Sequence, residues 1–158
     1  IDRFLLRVDL PFPSASTLSD ILAATTGTQK AGVESALTAQ DIIDIQKLVR
    51  SVVLADHVRD AVARFTLMTQ PHVAEAPDSV RRFFRFGLSP RGAQALVLAA
   101  KGHAFLAGRY NVSFDDLHAM LLPTARHRVH LNFEGRAAGT SLDKMLLDLF
   151  EASVRHKG

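Results

Sequence analysis

Gly87-Leu88-Ser89-Pro90-Arg91, running on through Ala93, Leu96, Val97, Ala100, Ala104 and Phe105 to Gly108, decides how the rest of the chain is read. Ser89 offers a side-chain oxygen to the free N–H groups of a helix start, and Pro90 takes the first helical position, where a missing N–H costs nothing. The apolar positions after it recur at helical spacing on a narrow face of small residues, suited to close packing, and Gly108 ends the run. Such a helix needs other helices beside it.

The flanking sequence supplies them. Downstream, Ser113 with Asp116 opens a helix carrying Phe114, Leu117, Met120 and Leu121, which Pro123 is expected to kink or end. Glu134 to Thr140 holds two glycines and reads as a loop, after which Ser141 caps a helix with a broad stripe of Leu142, Met145, Leu146, Leu149, Phe150 and Val154. Upstream, a helix starts near Asp56 and carries Val58, Ala61, Val62, Phe65 and Met68. Pro71 to Ser79 reads as a mobile connection. Thr38 with Asp41 resembles a capping box ahead of an apolar face of Ile42, Ile45, Val49 and Val52 or Val53. Thr25 to Glu34 reads as a loop, and a short helix around Leu18 to Ala24 precedes it, with Ser14, Ser16 and Thr17 all eligible as its cap.

Residues 4–10 differ from all of this. Phe4, Leu6, Val8 and Leu10 alternate with Leu5, Arg7 and Asp9 and stop at Pro11 and Pro13, the pattern of a single strand leaving a sheet. No second strong strand follows, so its sheet is expected in residues that precede this sequence, and an opening Ile rather than Met fits a piece of something longer. The expected fold is mainly α, a helical bundle with one N-terminal β-strand.

Composition narrows the chemistry. At 158 residues, 47% hydrophobic and 22% charged, the chain can bury a core of its own. It has no cysteine, which excludes disulfides, thiolate metal sites and cysteine nucleophiles and makes a reducing cytoplasm the expected setting. No apolar run reaches the length of a membrane span. A formal charge of +3 is permissive of nucleic acid without pointing to it. Gly27-Thr28-Gln29-Lys30 has the wrong spacing for a phosphate-binding loop, and neither a nucleophile elbow nor a zinc helix occurs. His127 and His130 could share a helical face but lack a third ligand, so no metal is expected.

Arg91 stands out because a cation in the first turn of a helix opposes the macrodipole, by about 0.3–1 kcal/mol at an exposed site. That cost disappears if an anion binds, since the helix N-terminus and the guanidinium then donate to the same oxygens. Arg81, Arg82 and Arg85 just upstream could extend a basic surface, and Arg3 reads as a residue at a sheet edge.

Taken in order, these stretches resemble a known family. Ile1-Asp2-Arg3-Phe4-Leu5-Leu6-Arg7-Val8 is similar to the L-D-R-F segment that closes the αβα core of MoxR-type AAA+ ATPases, and Gly87-Leu88-Ser89-Pro90-Arg91 is similar to the G-x-S-P-R of their helical lid. Ala99-Ala100-Lys101, Gly108-Arg109-Tyr110-Asn111-Val112, Asp115-Asp116-Leu117 and Arg126-His127-Arg128 continue the likeness. The resemblance implies residues 1–13 as the last strand of the ATPase core and 14–158 as the lid domain. It implies that Ser89, Pro90 and Arg91 form the second sensor, with Arg91 reaching the γ-phosphate of ATP, and that Arg3 is a candidate arginine finger acting on a neighbouring subunit. It further implies ATP and Mg in the full-length protein, a ring that is usually a hexamer, and chaperone-like work with a von Willebrand factor A-domain partner.

Walker A, Walker B and the first sensor are absent, so these residues alone are expected to be inert as an ATPase. Phe114 stands where relatives commonly have Pro, an exchange expected to be neutral because Ser113 still caps. Gln70 stands at an often basic place and is expected to alter lid surface contacts. Two other readings remain open: a small helical nucleic-acid-binding module using Arg81, Arg82, Arg85 and Arg91, and a plain protein-interaction bundle.

Overall fold

A computed structural model describes residues 2–27, 32 and 34–155. Among the described residues eight helices and two short strands follow one another: α1 (Ala15–Thr26), α2 (Ala39–Ser51), α3 (Asp56–Met68), α4 (Asp78–Phe83), β1 (Phe84–Phe86), α5 (Pro90–Leu106), α6 (Phe114–Ala125), β2 (His130–Leu131), α7 (Phe133–Ala137) and α8 (Leu142–Arg155). The fold is mainly helical, as the periodicity predicts.

Local chemistry sets most boundaries. Of the three candidates Ser14 caps α1, through the Thr17 N–H. Thr38 with Asp41 and Ser113 with Asp116 each close a reciprocal capping box at the starts of α2 and α6. Ser89 caps α5 and Pro90 is its first residue. At the far end Gly108 takes φ 71°, a left-handed conformation open to glycine at no steric cost, and lets the Gly108 and Arg109 N–H groups return to Phe105 and Ala104. Pro123 does not stop α6 at once, since the helix continues to Ala125.

α3, α5, α6 and α8 bury one core. Phe65, Leu88, Leu96, Leu117, Leu121 and Leu146 are fully enclosed there, and Phe65 meets Phe150 edge to face at 5.8 Å. Burying each such side chain is worth roughly 1.5–3 kcal/mol, so these contacts, rather than helix propensity, hold the bundle.

Several expectations need correction. Residues 4–10 form no strand: the Arg7 N–H bonds the Pro123 carbonyl at 2.8 Å, but the segment joins no ladder among the described residues, because the chain offers it no partner strand. The sheet that does form is β1 against β2, antiparallel, pairing Phe84 with Leu131 and Phe86 with His130 across an irregularity. Glu134 to Thr140 is not all loop. Asn132 caps α7, and Gly135 sits inside it because a Cβ there would lie 2.8 Å from the Phe83 carbonyl oxygen. Pro71 to Ser79 is tied down rather than mobile. Arg81 donates to the Ala76 and Ala74 carbonyls at 3.0 Å each, and Asp78 and Ser79 already belong to α4. Of the loop placed at Thr25 to Glu34, Thr25 and Thr26 are helical, while residues 28–31 and 33 lie outside the described residues.

Candidate functional site

The first turn of α5 is fixed from behind. Leu88 is wholly buried, its N–H donates to Thr69 Oγ1 at 2.9 Å, and its carbonyl accepts from Gln70 Nε2 at 2.6 Å. Gln70 is therefore a half-buried brace of this turn rather than a modifier of the lid surface. Gly87 lets the strand pass, since a Cβ on it would fall 2.3 Å from the Thr69 carbonyl oxygen.

From that base Ser89 Oγ accepts the Gly92 N–H at 3.1 Å and donates to the Asp2 carboxylate, whose two oxygens lie 3.1 and 3.2 Å away. The Arg91 side chain is 60% exposed and its guanidinium stands 4.0 Å from Asp2. Both arginines singled out from the sequence border one cleft of about 780 Å³, together with Arg50, Arg59, Lys101 and Arg128. Asp2 is the sole carboxylate on its walls among the described residues.

Not all of that charge is available. Arg59 pairs with Asp56 at 2.9 Å, and Lys101 donates to the Arg50 carbonyl at 2.9 Å. Among the described residues Arg3 and Arg50 make no ion pair, and Arg91 has only the 4.0 Å approach to Asp2, a carboxylate it shares with Arg128. The cleft thus offers spare guanidinium groups beside a capped helix N-terminus, an arrangement that favours a polyanion. Its fit to Mg²⁺ is poor, for no group of three His, Asp or Glu side chains gathers among the described residues. A divalent ion accompanying the anion would need ligands from elsewhere.

The basic surface expected upstream does not assemble in the same way. Arg81 is spent on backbone carbonyls, Arg82 pairs with Glu134 at 2.6 Å and lies over the Phe83 ring, and Arg85 lies over Phe86. None of the three lines the cleft. His127 and His130 share no helical face: His127 follows α6, buried, with Nε2 3.1 Å from the Phe4 carbonyl oxygen, whereas His130 lies on β2 against Phe86.

Two clusters escape sequence reasoning as clusters, although Arg109, Asp116 and Arg126 lie within the quoted motifs. Asp116 is fully buried and accepts from Arg109, His103, the Ser113 N–H and the Ser113 hydroxyl. Arg109 chiefly, with the Ser113 and His103 bonds, holds the Asp116 carboxyl well below the usual carboxylate range, and Asp116 raises Arg109 in return. Arg126 bridges Asp9 and Asp143 at 2.9 and 2.8 Å. Asp9 is lowered by its bonds to Arg7 and then Arg126.

Comparison with known proteins places this geometry. Residues 78–145 match the model of the AAA lid domain. The Bacillus subtilis protein YeaC is 26% identical over 153 residues, covering 96% of this chain and 45% of its own length. Chaperone MoxR1 of Mycobacterium tuberculosis is 24% identical over 136 residues (86% and 36%), and protein MoxR of Paracoccus denitrificans is 29% identical over 165 (97% and 48%). The chain therefore spans between about a third and a half of the length of these relatives. Among solved structures, that of a proposed ATPase from Cytophaga hutchinsonii shares the fold with a TM-score of 0.84 at 19% identity, over 95% of this chain and 46% of its own.

Residues 78–145 are accordingly similar to an AAA lid domain, within a helical fold shared over nearly the whole chain. Two of the chain's sequence relatives, at 24 and 29% identity, are MoxR proteins.

Proposed function

We propose that this chain is the nucleotide-sensing portion of a MoxR-type AAA+ ATPase, with residues 1–13 belonging to the end of the ATPase core and 14–158 to the lid. Ser89, Pro90 and Arg91 act as the second sensor. Phosphoryl charge draws Arg91 and the first turn of α5 toward the core, and hydrolysis with phosphate release weakens that pull. The observation that carries the reading is the exposed Arg91 guanidinium on the first turn of a capped helix, bordering a cleft with spare positive charge. ATP and Mg²⁺ would supply the hydrolytic chemistry once held by the core, and the residues here would bind and report the terminal phosphate.

Arg3 is the candidate arginine finger, presented to a neighbouring subunit in a ring, usually a hexamer. Lid motion would drive chaperone-like remodelling with a von Willebrand factor A-domain partner in the cytoplasm. No helix among the described residues is long and apolar enough to cross a membrane.

The test is ATP turnover in the longer protein that carries the phosphate-binding loop. Arg91→Ala should lower it by about tenfold or more, while the 158-residue chain alone should show none. Unchanged turnover in Arg91→Ala would reject the sensor role. Tight, steeply salt-dependent binding of duplex DNA by this chain would favour the nucleic-acid reading instead, although Arg81 and Arg82 are already committed within the fold.

A further inference from the structure

Arg128 makes an unusual set of contacts for a residue just beyond the end of a helix. Its side chain is 2% exposed, and all five of its N–H donors are used. Nε donates to Asp2 Oδ1 at 3.1 Å, one terminal nitrogen to the Leu5 carbonyl at 3.2 Å and the Thr124 carbonyl, and the other to the Asp2 carbonyl at 3.3 Å and the Phe4 carbonyl. Four of the five thus go to residues 2–5, on both sides of Arg3. His127 adds a contact to the same Phe4 carbonyl.

The other end of the side chain touches α5. A Cβ on Gly92 would lie 2.5 Å from Leu88 Cδ1 and 3.0 Å from Arg128 Cδ, so the glycine after Arg91 fits between the Leu88 side chain and the arginine stem. Asp2 closes the loop, since the carboxylate that Arg128 holds is the one that Ser89 Oγ donates to and that Arg91 faces. One buried arginine side chain therefore holds, through its guanidinium, the backbone that carries Arg3, and meets the helical turn that carries Arg91 through its stem at Gly92 and through Asp2.

We propose that Arg128, acting with Asp2, is a positioning residue that couples Arg91 to Arg3. A shift of the first turn of α5 moves the Arg128 stem and the Asp2 carboxylate, and with them the carbonyls on either side of Arg3. Because the guanidinium has no spare donor, the segment cannot slide to a new register on it without breaking several charge-assisted bonds together. The assignment rests on the sensor and finger roles above for its meaning in turnover, but the mechanical link can be measured without them.

Hydrogen exchange on this chain measures the link. Asp2→Asn, a half-exposed change that removes only the charge, is expected to speed exchange at the Arg7 amide and at the Gly92 and Ala93 amides by about tenfold each. Arg128→Lys, which keeps the charge but loses the fork, is expected to do so more strongly. If it fails to fold, Asp2→Asn still decides. Exchange altered at Arg7 but not at Gly92 and Ala93, or at none of them, would overturn the coupling.

In the longer protein, Asp2→Asn should lower kcat for ATP several-fold with little change in KM, the split expected of misplaced groups rather than lost binding. If Arg91→Ala and Arg3→Ala leave turnover intact, the sensor and finger roles fail while the exchange result stands. If those two abolish turnover and Asp2→Asn alters neither kcat nor exchange, the coupling alone fails.

Discussion

Residues 2–51 and residues 52–155 are held in place by different physics. In the second region Phe65, Leu96, Leu117, Leu121 and Leu146 disappear from solvent. In the first no described residue is buried, and Phe4, Val8, Leu10 and Phe12 are each at least 71% exposed. The early segment stays on the bundle through directed polar bonds from Arg126, His127 and Arg128, with Arg7 reaching the Pro123 carbonyl. Apolar burial gives a region stability that is indifferent to orientation, whereas a few charged bonds give orientation at little stability. A region whose task is to carry Arg3 to a defined place needs the latter.

Substitutions can break or sharpen this contrast. Phe65→Ala removes a ring fully enclosed between α3 and α8 and should cost about 3–5 kcal/mol in urea or thermal unfolding. A smaller loss would mean that the bundle is not where stability resides.

Asp116→Asn should cost about 2–3 kcal/mol, because it leaves Arg109 without its buried carboxylate. The native carboxyl lies below its unfolded value of about 3.9, so its contribution is full above that pH and is lost as pH falls through the lower folded value. Acid titration of stability should thus be shallower below pH ~4 in Asp116→Asn than in the unsubstituted chain. Parallel curves would sink the assignment.

Ser89→Ala should cost about 1 kcal/mol for the lost helix cap. It also removes the donor to Asp2, so chemical shifts in residues 2–5 should move with it. Leu22→Ser, on α1 and 52% exposed, should change unfolding by no more than about 0.5 kcal/mol. A loss above about 1.5 kcal/mol there would show that residues 2–51 acquire a core in solution, and the contrast would collapse.

How far each region could be read from the chain follows the range of its interactions. The starts of α2, α5 and α6 are legible because a cap and its partner lie three residues apart: Thr38 and Asp41, Ser89 and Gly92, Ser113 and Asp116. The pairing of Phe84 with Leu131 is not, since strands of three and two residues carry too little alternation to announce themselves. α7 hides behind Gly135, a glycine present for closeness to Phe83 rather than for a turn. At the candidate site, the position of Arg91 on its helix is plain from Ser89-Pro90. The destination of Arg128 is not, because all its partners but Thr124 lie more than a hundred residues away and nothing local marks them.

The shape of α6 gives these contacts a longer reach. Its first turn is nailed by the carboxylate of Asp116 and its last by the Arg126 to Arg128 triplet just beyond Ala125. Twelve residues at about 1.5 Å each make a rod of roughly 18 Å. A strut pinned at both tips transmits displacement instead of absorbing it, so a push delivered beside Arg109 would be felt at the opposite extremity, where the leading stretch of the chain is moored.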